Sequence, residues 1–298
     1  MLVARSFLFS FSILWRLCLV APFLLILLAF FGIVGLFVLT IAAAVSPLLA
    51  ILCVAAASFA ISSSFPIIVA SRLGFQARGE QSSYGYGRMF MYSLIYGLVE
   101  AFILVLIIGI AIVVGVVVTG SGFSMAQLET SLTGATELYV SGGTFVIVGF
   151  IRAGMLVPMA GAAIGRDGNN QPHTPFYDFG TRWRSLWMTN MLAMIVGPLA
   201  IVALAIVWVQ YGGSAVDDFA AAYESDNLSG VDIGWELIIF FVAVYALSLW
   251  TISWQAAAGV LAYMEKRDAQ HIEEVVHSDD DRAAAQNLWK DRMPPGRR

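Results

Sequence analysis

Two charged side chains stand inside runs that are otherwise apolar: Glu100 within 89–118 and Arg152 within 144–165. Either charge alone in a bilayer costs about 2.5–3.5 kcal/mol on an insertion scale, so pairing or access to water is the expected remedy. Glu100 lies roughly 18 Å along a helix from Arg88, and Arg152 roughly 21 Å from Arg166. Antiparallel helices starting from those arginines would carry both charges to similar depth. Such a pair suits proton or ion coupling in a transport pathway. Equally, it suits a structural ion pair that fixes helix register or meets a partner subunit. The structural reading is the stronger, because transport sites usually gather more than one pair of intramembrane polar groups. The run 235–264 adds only Ser248, Thr251, Ser253 and Gln255.

The remaining constellations are weaker. Asp167, His173 and Asp178 share the segment 166–184, but their spacing matches no metal-ligand signature. Pro172 and Pro175 mark that segment as a turn-rich connector. His271 and His277 do not share a helical face. The acidic segments 119–143 and 211–234 hold no Asp-x-Asp-x-Asp-Gly loop and read as a solvated outer face. The sequence has no phosphate-binding loop, no Gly-x-Ser-x-Gly and no His-Glu-x-x-His, and none of its 3 histidines lies in an apolar run. The expectation is therefore no catalytic, cofactor-binding or metal-ligating residue, and no haem or quinone chemistry. Gly161 and Gly165, at GxxxG spacing beside Gly149, Ala153 and Gly154, predict close helix packing, either within the chain or as a dimer seam.

The elements that must hold these residues follow from composition. The chain has 298 residues, of which 59% are hydrophobic and 12% charged, where a soluble domain carries about 25% charge. From Leu17 to Ser71 no residue is charged. That is more than twice the ~20 residues a span requires, so the run must fold back. Ser46-Pro47 is the natural turn, because proline cannot continue the helical ladder. The reading is an all-α, polytopic integral membrane protein with six transmembrane helices, about 17–43, 47–71, 89–118, 144–165, 185–210 and 235–264. Residues 1–264 form this domain, and 265–298 a cytoplasmic helical tail. A short surface helix is expected near Ser124–Leu132 and another start at Ser214. In the tail, Ser278 followed by Asp279, Asp280 and Asp281 predicts a fresh helix over 279–292. Arg5 precedes an apolar run far longer than the ~7–15 residues of a signal-peptide core, so no cleavable signal is expected.

Orientation follows from the basic residues, which stay cytoplasmic near span ends. Segments 72–88 and 166–184 hold Arg72, Arg78, Arg88, Arg166, Arg182 and Arg184, while 119–143 and 211–234 hold no lysine or arginine. Both termini are therefore expected in the cytoplasm. Trp15-Arg16, Arg88 after Tyr86, and Arg182-Trp183-Arg184 repeat an aromatic-plus-arginine lead-in suited to the water–lipid interface. They suggest three helical hairpins, each entered through a short interfacial segment.

This layout of six helices, cytoplasmic termini and aromatic–arginine lead-ins is similar to the YciC-like family and to the membrane domain found on glycerophosphodiester phosphodiesterases. The resemblance covers 1–264, implies the six-helix arrangement, and carries over no site residue. The catalytic phosphodiesterase domain has no counterpart in the sequence. The expected role is non-enzymatic: a scaffold, accessory subunit or membrane-homeostasis factor in a bacterial inner membrane. The alternative is a small transporter or channel using Glu100 and Arg152, and third comes a lipid-processing enzyme whose cytoplasmic arginines near the interface hold lipid phosphates. Expected partners are the lipid bilayer and a membrane protein or second copy. Net charge of −4 argues against nucleic acid.

Overall fold

The structure, a computed structural model, describes residues 2–119, 135–166, 171–211, 221 and 235–292. Its elements are α1 (Leu2–Val45), α2 (Pro47–Phe59), a π-helical turn (Ala60–Ser64), α3 (Phe65–Ala77), α4 (Tyr86–Thr119), α5 (Ala135–Ile164), α6 (Trp183–Tyr211) and α7 (Trp235–Arg292). Helices α2 and α3 join through the π turn, so six helical stretches are long and apolar enough to cross a membrane. The protein is an all-α, multi-pass integral membrane protein.

Ser46 has extended backbone and Pro47 opens α2, which makes the expected turn. The π turn ends beside Pro66. The Phe65 N–H reaches back to the Ala60 carbonyl. Widening the turn there relieves the clash between the proline ring and the carbonyl one turn earlier.

The buried centre lies at the end of the bundle that carries the arginines. Helix α5 is buried on all sides from Ala153 to Ile164, and α7 from Ser253 to Tyr263. Helix α3 is buried from Phe65 to Phe75 except at Pro66 and Arg72. Glycine permits two of the closest approaches. A Cβ on Gly259 would lie 2.6 Å from the Leu156 carbonyl oxygen, and one on Gly97 would strike the Ala56 carbonyl. Toward the other end the helices turn large apolar side chains outward, such as Leu36 and Ile41 of α1, Ile110 and Val113 of α4, and Val202 and Ile206 of α6. Lipid solvates such surfaces as well as protein does, so no packing is demanded of them.

Helix α1 starts at Leu2, well before the expected 17, and Trp15-Arg16 lies inside it rather than ahead of it. No glycine or proline interrupts residues 2–16, and one face stays buried at Ser6, Ser10, Ile13, Leu17, Ala21 and Leu24. This first half runs across the arginine end. Ser6 accepts a hydrogen bond from Trp254 Nε1 of α7, Ile13 meets Gly74 of α3, and Phe23 meets Tyr86 of α4.

Helix α3 continues to Ala77, past the expected 71, and α5 begins at Ala135 rather than 144. Helix α7 runs unbroken through 264 and through Ser278 to Arg292. Serine and aspartate inside a helix cost only a few tenths of a kcal/mol each, less than renucleating a new helix. The tail's expected second helix is thus the end of α7. The surface helices expected near Ser124 and Ser214 lie outside the described residues.

Candidate functional site

Glu100 and Arg152 meet. Arg152 Nε donates to Glu100 Oε1 at 2.9 Å, and Nη2 donates to Oε2 at 2.7 Å. This parallel pair is the geometry in which a guanidinium holds a carboxylate most tightly. The Glu100 side chain is 0% exposed and that of Arg152 11% exposed. Antiparallel α4 and α5 hold the two residues, and Gly97, one turn before Glu100, presses α4 onto Ala56 and Ala60 where the π turn begins.

The segment between α5 and α6 changes the surroundings of the pair. Instead of capping the bundle, it folds back along α5. The Gly180 N–H donates to the Gly154 carbonyl, and Trp183 Nε1 donates to the Phe150 carbonyl at 2.7 Å. Gly154 is roughly 15 Å along α5 from its end at Ile164. Tyr96 donates its hydroxyl hydrogen to the Pro175 carbonyl, and Tyr92 to that of His173. Phe176 packs edge-on to Tyr96, and the Phe179 ring fills the space beside Gly154. The returning segment therefore packs within about one helical turn of both members of the ion pair. It also places the first residues of α6 level with Phe150 to Gly154 of α5. From the α6 side, Arg152 is thus much shallower than its roughly 21 Å from Arg166 suggests. The fold-back needs left-handed backbone at Asp178 (φ 67°), Gly180 (φ 78°) and Arg182 (φ 52°). For the arginine this costs about 1–2 kcal/mol.

The two glycines of the GxxxG spacing serve the two arginine-bearing loops. A Cβ on Gly161 would stand 2.5 Å from the His173 ring. Gly165 ends α5 with φ +84° and lies against Ser83 and Tyr84. Both close approaches are within the chain.

Ion pairs then tie α7 to the rest. Glu265 binds Arg5 of α1 and Arg182 of the returning segment. Lys266 binds Asp178, and Arg267 holds Glu80 through two 2.7 Å hydrogen bonds. Three successive residues of α7 thus contact α1 and both arginine-bearing loops. Of the interfacial residues read from sequence, Trp15 is largely exposed and Arg16 half-buried. Arg88 stacks on Tyr84, Arg182 is in the α7 contact, Trp183 anchors on Phe150, and Arg184 is exposed. Glu80 and Glu265 had no distinguishing signal in the sequence beyond the charge-rich run Glu265-Lys266-Arg267, and Asp178 stood out only beside Asp167 and His173, not as a partner of Lys266. Asp178 and His173 do not come together: Asp178 faces Lys266, while His173 is buried between Gly161 and Tyr92. Asp167 lies outside the described residues. Cys18 and Cys53 are both free thiols.

No protein-family model, curated protein or solved structure matches this chain.

Proposed function

We propose that the protein is a non-enzymatic structural component of a membrane, a scaffold or accessory subunit of a membrane complex or a membrane-homeostasis factor. The membrane is a bacterial inner membrane with both termini in the cytoplasm, the side that retains arginine-rich loops. The observation that carries this reading is the closed state of Glu100 and Arg152. Each carboxylate oxygen accepts from the guanidinium, and the carboxylate has no exposed surface. A pair satisfied in this way fixes the register of α4 against α5 and leaves no open position for an ion.

The test is gentle extraction from native membranes followed by native mass spectrometry. Other subunits in fixed ratio are the expected result. A lone chain without partners would overturn the accessory-subunit reading.

The second reading is a small transporter or channel working through the same pair. The π turn Ala60–Ser64 favours it, because such turns recur at functional sites and this one adjoins the α4 residues before Glu100. Flux through reconstituted protein that disappears in Glu100→Gln would establish it.

A further inference from the structure

We propose that Arg16, Arg72, Arg78 and Arg88 form a basic face that docks the phosphates of anionic phospholipids. The starting point is how charge is distributed at the arginine end. Every described side-chain carboxylate there already faces a cation: Glu80 and Asp268 face Arg267, Asp178 faces Lys266, and Glu265 faces Arg5 and Arg182. All of these contacts lie on the α7 side. On the α1, α3 and α4 side, four arginines have no carboxylate partner among the described residues.

Three of the four are held on aromatic rings instead. Arg72 lies over Tyr86 at 4.7 Å, Arg78 over Phe9 at 4.8 Å and Arg88 over Tyr84 at 4.1 Å. A stacked guanidinium is fixed in orientation while its N–H donors, which lie in its plane, stay directed sideways. Arg72 spends one of them on the Tyr84 carbonyl, at 3.3 Å. That bond ties Arg72 to the same short stretch, Tyr84 to Arg88, that carries the other guanidinium.

Arg16 completes the group by register. Phe9, Arg16 and Phe23 follow one another at seven-residue spacing and so share a stripe of α1. Phe9 supports Arg78, and Phe23 meets Tyr86, the ring under Arg72. Arg16 stands between those two contacts, roughly 10 Å along the helix from each. It has no hydrogen bond, ion pair or ring contact of its own among the described residues.

Two further features select a lipid. The N-terminus of α4 begins at Tyr86, within the group, and its dipole adds positive potential. Beside Arg16 on α1 runs an outward apolar stripe, Leu8, Phe11, Trp15 and Leu19, between 48% and 71% exposed. A phosphate held by the arginines would leave its acyl chains against that stripe. A phosphate source without acyl chains would leave it bare.

The experiment uses the full chain, delipidated in detergent and titrated with phosphatidylglycerol or phosphatidylcholine under native mass spectrometry. Retention of phosphatidylglycerol in preference to phosphatidylcholine is expected. It should fall about fivefold for each arginine removed in Arg72→Gln with Arg88→Gln. Arg184→Gln, an exposed arginine on α6, should leave it unchanged. Where the double variant does not fold, Arg16→Gln serves, since that side chain holds nothing in place. Equal retention of the two lipids, unchanged retention in the Arg16 variant, or an equal loss in Arg184→Gln would overturn the proposal. Displacement of the lipid by inorganic phosphate at matching concentration would assign the site to soluble phosphate and overturn the lipid assignment.

Discussion

Removing either partner of the Glu100–Arg152 pair leaves a buried charge with no counter-charge. Such single losses cost about 3–5 kcal/mol, whereas removing both partners costs far less, because no uncompensated charge remains. Glu100→Gln and Arg152→Gln should each lower the thermal midpoint in detergent sharply, and the combined variant should recover most of the loss. Additive losses would mean that the two side chains do not act on each other. The same variants bear on function once flux is read beside stability, since a structural pair tolerates joint replacement and a transport pair loses flux. At this scale the sequence was informative, because two lone charges in apolar runs have few remedies. It could not show the neighbours Phe176 and Phe179, whose approach depends on left-handed backbone at Asp178 and Arg182.

At the scale of elements, α5 and α7 meet backbone to backbone because position 259 has no Cβ. In Gly259→Ala the new carbon would lie 2.6 Å from a backbone oxygen, which cannot swing away as a side chain can. The helices must then separate, at a cost of about 1–3 kcal/mol. A Cβ at Gly109 of α4 would meet nothing within 4 Å, so Gly109→Ala should be neutral or should gain up to about 1 kcal/mol in helix propensity. Thermal unfolding of the two variants side by side checks this, and equal shifts would deny the α5–α7 contact. The existence of the spans was legible from hydropathy. Their ends were less so: α1 begins early and α7 continues late, because apolar periodicity and packing outweigh interfacial and capping signals that are each worth about a kcal/mol or less.

Across the whole molecule, the N-terminal region, the two arginine-bearing loops and the α7 stretch Glu265–Arg267 share one end, joined by ion pairs. One labelling experiment therefore reports the side of all of them. In a background of Cys18→Ala with Cys53→Ala, Gln81→Cys should react with an impermeant maleimide in inverted vesicles and stay protected in intact cells. Asn227→Cys, in the acidic segment 211–234, should show the reverse. Labelling of Gln81→Cys in intact cells would place the arginine end outside.

The sequence by itself determined that the chain lives in lipid, how many times it crosses, and that Glu100 and Arg152 needed a remedy. These follow from transfer free energies that depend on residue type and run length alone. Only the tertiary structure decided that the remedy is a closed bidentate pair, and that 171–182 folds back beside it. It also divided the arginines into a set bound by carboxylates and a set stacked on rings. Those outcomes rest on which surfaces meet. Helices in lipid gain little from one apolar partner over another, so close approach at glycines and a few polar contacts select the arrangement. Spacing along the chain does not carry that information.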